Sequence, residues 1–297
     1  MPHNNHVIDG FNKDVSPLFS TEDAKLDYLK LAEHWEDPYG PPEVVTHEGI
    51  RVIRDDLIVG SKVRGGDCLI SSLPESIDTI VYVQPRTGLA GVSLLDVARQ
   101  HNKKVMLFMP SSKRISHHQA CCIEQGCGYS FHRIAAMPNL NLIAKKWAAQ
   151  RDNAFFVPLG LKHEMVTAGI VKTASAIPAP EEVYCATSTG VLTRALQIAW
   201  PKTKFTSVCV SRNMKAGELG RAEPISEDLA FTSSEKPQNL PPFPTIDTYD
   251  GKVWKYIPKN SGRDILFWNV GAEPVLEDDS LYETIDSYKD WPKNENN

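Results

Sequence analysis

The stretch DTIVYVQPRTGLAGVSLLDVARQHNKKVMLFM (residues 78–109) contains an apolar, β-branched run, a segment with helical period and a second apolar run. This order is typical of a strand, a helix and a second, parallel strand. Because both apolar runs are nearly continuous, we expect strands that are covered by helices on both faces. The stretch therefore predicts one βα unit of an α/β fold.

The same alternation continues to about residue 268 and predicts a doubly wound α/β architecture. Strands are predicted at residues 78–83, 105–109, 129–134, 154–158, 183–186, 205–210 and 265–268. Helices are predicted at residues 92–102, 116–125, 139–151, 164–174 and 191–200, with a further helix-like stretch at 21–35. Pro-rich segments at residues 176–182 and 233–244 interrupt this pattern and are predicted to be a connector and a loop.

The composition narrows the class of protein. The 297 residues suffice for one large or two modest domains, and the net charge of −5 offers no global attraction to nucleic acid or anionic lipid. No apolar run reaches the roughly 18 residues of a membrane span, and the start MPHNNHVIDG lacks the pattern of a signal peptide. We therefore expect a cytoplasmic protein whose six cysteines are reduced and buried.

The string Ser61-Lys-Val-Arg-Gly-Gly66 is the most unusual local feature. Two glycines allow a sharp turn and a close approach of a ligand. One interpretation is a solvated basic turn. The other is a Schiff-base lysine, Lys62, whose amine is kept neutral by burial or by a neighbouring cation such as Arg64.

The string Tyr184-Cys-Ala-Thr-Ser-Thr-Gly190 runs from an apolar strand directly into a predicted helix. Small hydroxyl residues and a glycine at such a turn place N–H groups and the helix dipole at one point, which suits a phosphate. Capping of the helix by Ser188 or Thr189 is the alternative explanation. The string Val157-Pro-Leu-Gly160 ends another strand in the same way.

Six strings in order resemble the landmarks of the fold-type-II, tryptophan-synthase-β-like pyridoxal-phosphate (PLP) enzymes, nearest to the D-cysteine desulfhydrase and 1-aminocyclopropane-1-carboxylate (ACC) deaminase branch. They are Arg54-Asp-Asp-Leu57, Ser61-Lys-Val-Arg64, Val157-Pro-Leu-Gly160, Thr187-Ser-Thr-Gly190, Tyr249-Asp-Gly-Lys252 and Phe267-Trp-Asn-Val-Gly271. The resemblance covers about residues 41–271. It implies two lobes, a cofactor-binding lobe of residues 1–74 and 176–297 and an inserted substrate-side lobe of residues 75–175.

The resemblance also implies roles for individual residues. Lys62 corresponds to the lysine that carries pyridoxal 5'-phosphate as a Schiff base and moves protons. The loop of Thr187, Ser188, Thr189 and Gly190 corresponds to the phosphate cup, and Tyr249 corresponds to a tyrosine over the active site. A homodimer and a role in amino acid metabolism are implied in the same way.

Two departures from the family pattern affect the expected activity. The family's substrate loop corresponds to Thr87, Gly88 and Leu89, with Leu89 where asparagine is expected. Val270 stands where a Thr or Ser usually faces the pyridine nitrogen, and the neighbouring Asn269 is the candidate for that role. Both changes remove polar contacts to the cofactor ring or the substrate carboxylate.

These observations leave three hypotheses for the function. The first is a PLP-dependent lyase that deaminates an amino acid or eliminates its β-substituent. The second is a decarboxylase, or an enzyme for an amino acid tethered to a larger molecule such as modified nucleic acid, with contacts from the basic pairs 103–104, 113–114 and 145–146. The third is a non-catalytic relative that retains the fold.

The string from His117 to Cys127 contains two histidines and three cysteines, which raises the alternative of a zinc site. A second Cys/His pair at finger spacing is missing, and several members have the small size of core residues. We expect no metal and no membrane partner.

Overall fold

A computed structural model describes residues 21–133, 136–211, 214 and 217–285. The chain divides into two compact units. The smaller unit consists of Ile70–Leu161 and the described part of Pro274–Asn297, and the larger unit consists of Lys162–Glu273 and the described part of Ile8–Leu69.

The smaller unit is built on a four-stranded sheet in which all neighbours are parallel. Its strands, in the order β5-β4-β3-β6, are β3 (Thr79–Val83), β4 (Lys104–Pro110), β5 (Gly128–His132) and β6 (Ala154–Phe156). Its helices are α3 (Ala90–Gln100), α4 (His117–Glu124), α5 (Met137–Ala149) and α8 (Leu281–Thr284). Apolar side chains of α5 pack with those of β3, β4 and β6 in one buried cluster, which is the core expected for a covered parallel sheet.

The larger unit contains a six-stranded sheet in the order β1-β2-β10-β7-β8-β9. Its strands are β1 (Val44–His47), β2 (Ile50–Arg54), β7 (Glu182–Thr187), β8 (Lys204–Cys209), β9 (Glu223–Ser226) and β10 (Ile265–Asn269). Its helices are α1 (Glu22–Leu31), α2 (Lys62–Ser71), α6 (Glu164–Ser175), α7 (Val191–Ala199) and a 3₁₀ helix, Asp250–Tyr256. Because β10 lies between β2 and β7, the carboxyl ends of these three parallel strands are neighbours.

The α/β fold class is confirmed, and each of the seven predicted strands and the helices overlaps an observed element. The predicted strand 129–134 ends at Ile134, which lies outside the described residues. The larger sheet is mixed and not purely parallel, since β1 runs antiparallel to β2. Strands β1, β2 and β9 were not predicted, because they are short or lie in polar surroundings.

Helix α2 was also missed, because Gly65 and Gly66 favour a turn. The structure shows why a helix needs a glycine there. A Cβ atom on Gly65 would lie 2.7 Å from Val166 Cγ1 and 2.7 Å from the Val166 carbonyl oxygen on α6. On the opposing helix, a Cβ atom on Gly169 would lie 2.7 Å from Cys68 Cβ. The glycines thus permit two helices to approach closely.

The boundaries of the two units differ from the expected lobes in two places. Helix α6, expected in the lobe of residues 75–175, packs against α1 and α7 of the larger unit. The segment from Pro274 to Ile285, expected in the larger lobe, packs against α4 of the smaller unit. The Pro-rich connector therefore joins α6 to β7 within one unit.

All six cysteines are buried thiols. Within the described part of the chain, no group of three or more His, Cys, Asp or Glu side chains is arranged to hold a metal ion. His117 instead contacts the carbonyl oxygen of Pro274 through Nε2 at 2.5 Å and the Tyr282 hydroxyl through Nδ1 at 2.9 Å. No helix among the described residues is long and apolar enough to cross a membrane.

Candidate active site

Lys62 is the first residue of α2 and lies beside the end of β10. The backbone N–H of Ser61 donates to the Val270 carbonyl oxygen at 2.9 Å, which fixes the start of the helix. Lys62 is half-buried, and burial of its amine lowers its pKa, while the charge of Asp250 acts in the opposite direction. A lysine amine in this setting is more easily neutral, as a nucleophile must be.

Arg64 does not supply the neighbouring cation that the sequence suggested for Lys62. Its guanidinium is buried and pairs with Asp55 at 3.0 Å and with Asp37 at 2.5 Å. The indole N–H of Trp268 donates to the second oxygen of Asp55 at 2.8 Å. This network compensates the charge of Arg64, so that burial is the main cause of the lowered pKa of Lys62.

Tyr249 and Asp250 lie next to Lys62. The Lys62 Nζ atom is 5.9 Å from the centroid of the Tyr249 ring. Burial raises the pKa of Tyr249, whose hydroxyl also forms a hydrogen bond with the backbone of Ser188. We name these four residues, Lys62, Ser188, Tyr249 and Asp250, the lysine site.

Asp250 is a member of this site that the sequence analysis missed. Its carboxylate is fully buried and accepts the backbone N–H groups of Ile246 at 3.0 Å and Val270 at 2.7 Å. Burial raises its pKa to about 7, although these hydrogen bonds oppose the shift. The available signal was its place directly after the tyrosine of the Tyr249-Asp-Gly-Lys252 string.

The turn between β7 and α7 presents an uncapped helix start. The N-cap of α7 is Gly190, in the left-handed conformation with φ of 77°, and no side chain caps the helix. The alternative of a cap by Ser188 or Thr189 is therefore wrong. A Cβ atom on residue 190 would lie 2.1 Å from the Glu218 carbonyl oxygen, so glycine is required.

The three hydroxyl residues of this turn do not share one environment. Thr187 is buried, and its hydroxyl bonds to Thr193 at 2.5 Å and to Ser207. Ser188 and Thr189 are half-buried. The N–H groups at the start of α7 and these two residues fit a phosphate group, whereas the Thr187 hydroxyl is held inside the unit.

At the end of β10, Asn269 and Val270 form hydrogen bonds within the protein that were not expected from a role at the cofactor ring. The Asn269 amide donates to Asp56 at 2.7 Å and to the Pro244 carbonyl oxygen at 2.9 Å. Its Oδ1 atom is buried without a hydrogen-bond partner among the described residues. Val270 contributes only backbone groups, since its N–H donates to Asp250 and its carbonyl oxygen accepts from Ser61.

The predicted substrate loop, Thr87, Gly88 and Leu89, lies in the smaller unit at the start of α3. Leu89 is buried and is the N-cap of α3, where no side chain caps the helix. The sequence analysis missed Gln84, a buried residue that shapes this loop. Its amide nitrogen donates to the carbonyl oxygens of Pro85 and Gly88, both at 3.0 Å, and its oxygen accepts the Gly91 N–H at 2.9 Å.

Comparisons with known proteins define the fold. No model of a known protein family matches the chain. No curated protein matches it in sequence. Solved structures do match, among them an ACC deaminase homologue with a TM-score of 0.67 and 15% identity, covering 82% of this chain and 94% of that chain.

Two further structures give the same result. The processed form of threonine deaminase isoform 2 from Solanum lycopersicum has a TM-score of 0.62 and 13% identity over 89% of this chain and 88% of that chain. Maize serine racemase has a TM-score of 0.62 and 12% identity over 84% of this chain and 94% of that chain. The chain thus has the fold of the fold-type-II PLP enzymes, and the fold indicated by the six strings is confirmed.

Proposed function

We propose that this protein is a PLP-dependent enzyme that acts on an amino acid through a Schiff base at Lys62. The observation that carries the proposal is a lysine amine whose pKa is lowered by burial, 5.9 Å from the ring of Tyr249. The solved structures with this fold include deaminases, a serine racemase and a PLP-dependent aspartate racemase. We infer a lyase reaction, either deamination or β-elimination.

When bound, PLP withdraws electrons from the α-carbon of the amino acid and so weakens its bonds. Lys62 then has two tasks, to hold the cofactor and to move a proton at its Nζ atom. Burial supports both tasks because it favours the neutral amine. The uncapped start of α7 would hold the phosphate with the N–H groups after Gly190 and the side chains of Ser188 and Thr189.

Tyr249 and Asp250 differ in their protonation state near neutral pH. The raised pKa of Tyr249 keeps its hydroxyl protonated near neutral pH, so that it can donate a hydrogen bond or a proton. Asp250 has a pKa of about 7 and changes its charge in the working range. We propose Tyr249 as a catalytic residue, and Asp250 as the group that sets the charge around Lys62.

Three alternatives are retained because specific residues favour them. Leu89 and Val270 reduce the polar contacts expected for a free carboxylate and for the ring, which favours a decarboxylase, a tethered amino acid or a non-catalytic relative. The Asn269 amide nitrogen donates hydrogen bonds to Asp56 and to the Pro244 carbonyl oxygen, whereas its Oδ1 atom can still accept one. The homodimer and the cytoplasmic location stay predictions.

The test is to load the protein with PLP, reduce it with borohydride and map the labelled peptide. The label is expected on Lys62, and Lys62→Ala is expected to lose the visible absorbance without loss of the fold. Lys202→Ala, an exposed lysine of the larger unit, is the control and is expected to keep the absorbance. A label on Lys162 or Lys252 would refute the assignment. A cofactor spectrum that no amino acid changes would favour the non-catalytic relative.

A further inference from the structure

Four basic residues lie on three adjacent loops that follow the carboxyl ends of strands in the smaller sheet. Arg86 follows β3, Lys113 and Arg114 follow β4, and Arg133 follows β5. Because β5, β4 and β3 are neighbouring parallel strands, all three loops leave the sheet at the same edge. We name these four residues the basic edge.

Direct contacts connect the segments that carry these four residues. Arg86 donates from Nη1 to the carbonyl oxygen of Arg114 at 3.1 Å, which joins the loops after β3 and β4. The Ser111 N–H donates to the His132 carbonyl oxygen at 2.9 Å, which joins the loop after β4 to the last residue of β5, next to Arg133. The cations therefore lie on connected segments of one edge.

No ion pair among the described residues compensates the positive charge of this edge. Lys113, Arg114 and Arg133 are exposed, and their side chains form no hydrogen bond or ion pair with any residue that the structure describes. Between residues 79 and 151 the acidic residues are Asp96 and Glu124, and the segment that packs on α4 adds Glu277, Asp278, Asp279 and Glu283. None of these carboxylates, which all lie in the described part of the chain, forms an ion pair with the basic edge, and Glu124 is the last residue of α4, away from the edge where that helix starts. Glu124 accepts the N–H groups of Glu277 and Asp278.

This concentration of charge exceeds what an ordinary amino acid requires. A single carboxylate needs one cation or a few N–H groups, whereas the basic edge offers four cations in a chain whose net charge is −5. Ser111 adds a buried hydroxyl that has no hydrogen-bond partner among the described residues. Several cations with hydroxyl donors are the usual partners of a phosphate group.

Ligands of open parallel α/β sheets bind outside the carboxyl ends of the strands, and the predicted substrate loop, Thr87 to Leu89, belongs to this edge. We propose that the basic edge binds a ligand that carries a phosphate group. This inference goes beyond the proposed function and does not depend on it. The phosphate can belong to a small phosphorylated amino acid or to a nucleic acid strand.

The test measures binding directly, with the full-length protein loaded with PLP. Binding of a fluorescein-labelled single-stranded DNA 12-mer is followed by anisotropy, and binding of O-phosphoserine and of serine by calorimetry. We expect O-phosphoserine, the DNA or both to bind, and O-phosphoserine to bind more tightly than serine. If three or four phosphates of the DNA are contacted, its affinity should fall roughly 20- to 50-fold between 50 and 200 mM salt.

Matched charge reversals separate the basic edge from the net charge. Lys113→Glu/Arg114→Glu is expected to weaken phosphate binding by about tenfold or more, with a shallower salt dependence. Lys202→Glu/Lys204→Glu changes the net charge equally at exposed positions of the larger unit, and is expected to alter binding less than about threefold. Equal effects of the two double variants, or no phosphate binding by the parent protein, would overturn the inference.

The two sources of phosphate and the two proposals are distinguished by the same data. Preference for the DNA with a steep salt dependence indicates a strand, and preference for O-phosphoserine indicates a small phosphorylated ligand. The visible absorbance of each sample reports cofactor loading separately. Loss of phosphate binding in a protein that carries PLP leaves the proposed function standing, whereas phosphate binding by a protein that never takes up PLP refutes the proposed function.

Discussion

Burial drives Lys62 and Asp250 toward their neutral forms at one place in the larger unit. It lowers the pKa of the amine and raises the pKa of the carboxyl group to about 7. Each charge also favours the other, since Asp250 acts to raise the pKa of Lys62. The protonation state of the site is therefore sensitive to pH near neutrality, which is useful for a reaction that moves a proton.

The stability of the Asp250→Asn variant, measured as a function of pH, tests the raised pKa of Asp250. The folded pKa of about 7 lies above the value near 3.9 of an unfolded aspartate, so the folded state holds a proton that the unfolded state has lost. The contribution of Asp250 is thus fully present below about pH 4 and is lost as the pH rises toward 7. We expect the stability advantage of the parent protein over Asp250→Asn to shrink across this window.

Urea denaturation at pH 4.5, 6 and 7.5 measures the difference. The Asn side chain has an oxygen for only one of the two backbone N–H groups. We therefore expect Asp250→Asn to be less stable than the parent protein by about 1–3 kcal/mol at pH 4.5. Asp228→Asn, at an exposed position of the same unit, is the control. A difference that grows with pH would contradict the assignment.

In the turn from β7 into α7, some residues stabilise the fold and others are placed to bind a ligand. Thr187 is bonded inward to Thr193 and Ser207, which fixes the end of the strand. Gly190 starts the helix without a side-chain cap. The N–H groups of the first turn are thereby left for an anion, and the helix dipole adds to their attraction.

Thr189→Asp is expected to weaken PLP binding strongly, by tenfold or more, because a carboxylate would face the phosphate dianion at the helix start. Thr189→Asn has nearly the same shape without the charge and is expected to change affinity only a few-fold. Titration of each variant with PLP by visible absorbance gives both affinities. Similar affinities for the Asp and Asn variants would show that the phosphate lies elsewhere.

At the level of the whole molecule, the chain returns to the smaller unit after it completes the larger one. The carbonyl oxygen of Pro274 and the hydroxyl of Tyr282 both contact His117, at the start of α4. The N–H groups of Glu277 and Asp278 bond to Glu124, at the end of the same helix. The segment therefore holds α4 along its length.

Truncation after Glu273 is expected to lower the stability of the smaller unit by about 2–6 kcal/mol, from four hydrogen bonds of roughly 0.5–1.5 kcal/mol each. Hydrogen–deuterium exchange should show faster exchange in α4, with little change in the sheet of the larger unit. Tyr282→Phe, which removes one of these bonds, is expected to lose about 1 kcal/mol. Unchanged exchange in α4 after truncation would refute this role of the segment.

The sequence by itself determined the α/β class, the positions of most strands and helices, and Lys62 as a candidate Schiff-base lysine. Periodicity and helix-start signals are local, so they can be recognised without knowledge of distant segments. The family resemblance added Tyr249 and the phosphate cup as candidates, and the fold it implied is the fold observed. The resemblance assigned Thr187 to the phosphate cup, whereas in the structure its hydroxyl is bonded inward to Thr193.

Only the tertiary structure decided which residues surround the lysine and how they are charged. Asp250 reaches Lys62 from a segment almost 190 positions away, and its pKa depends on burial by that packing. Gly65 in α2 and Gly169 in α6 let these two helices approach closely, and α6 belongs to the larger unit. Close approach, burial and the direction of a hydroxyl are properties of long-range contacts, and a local pattern of residue types does not contain them.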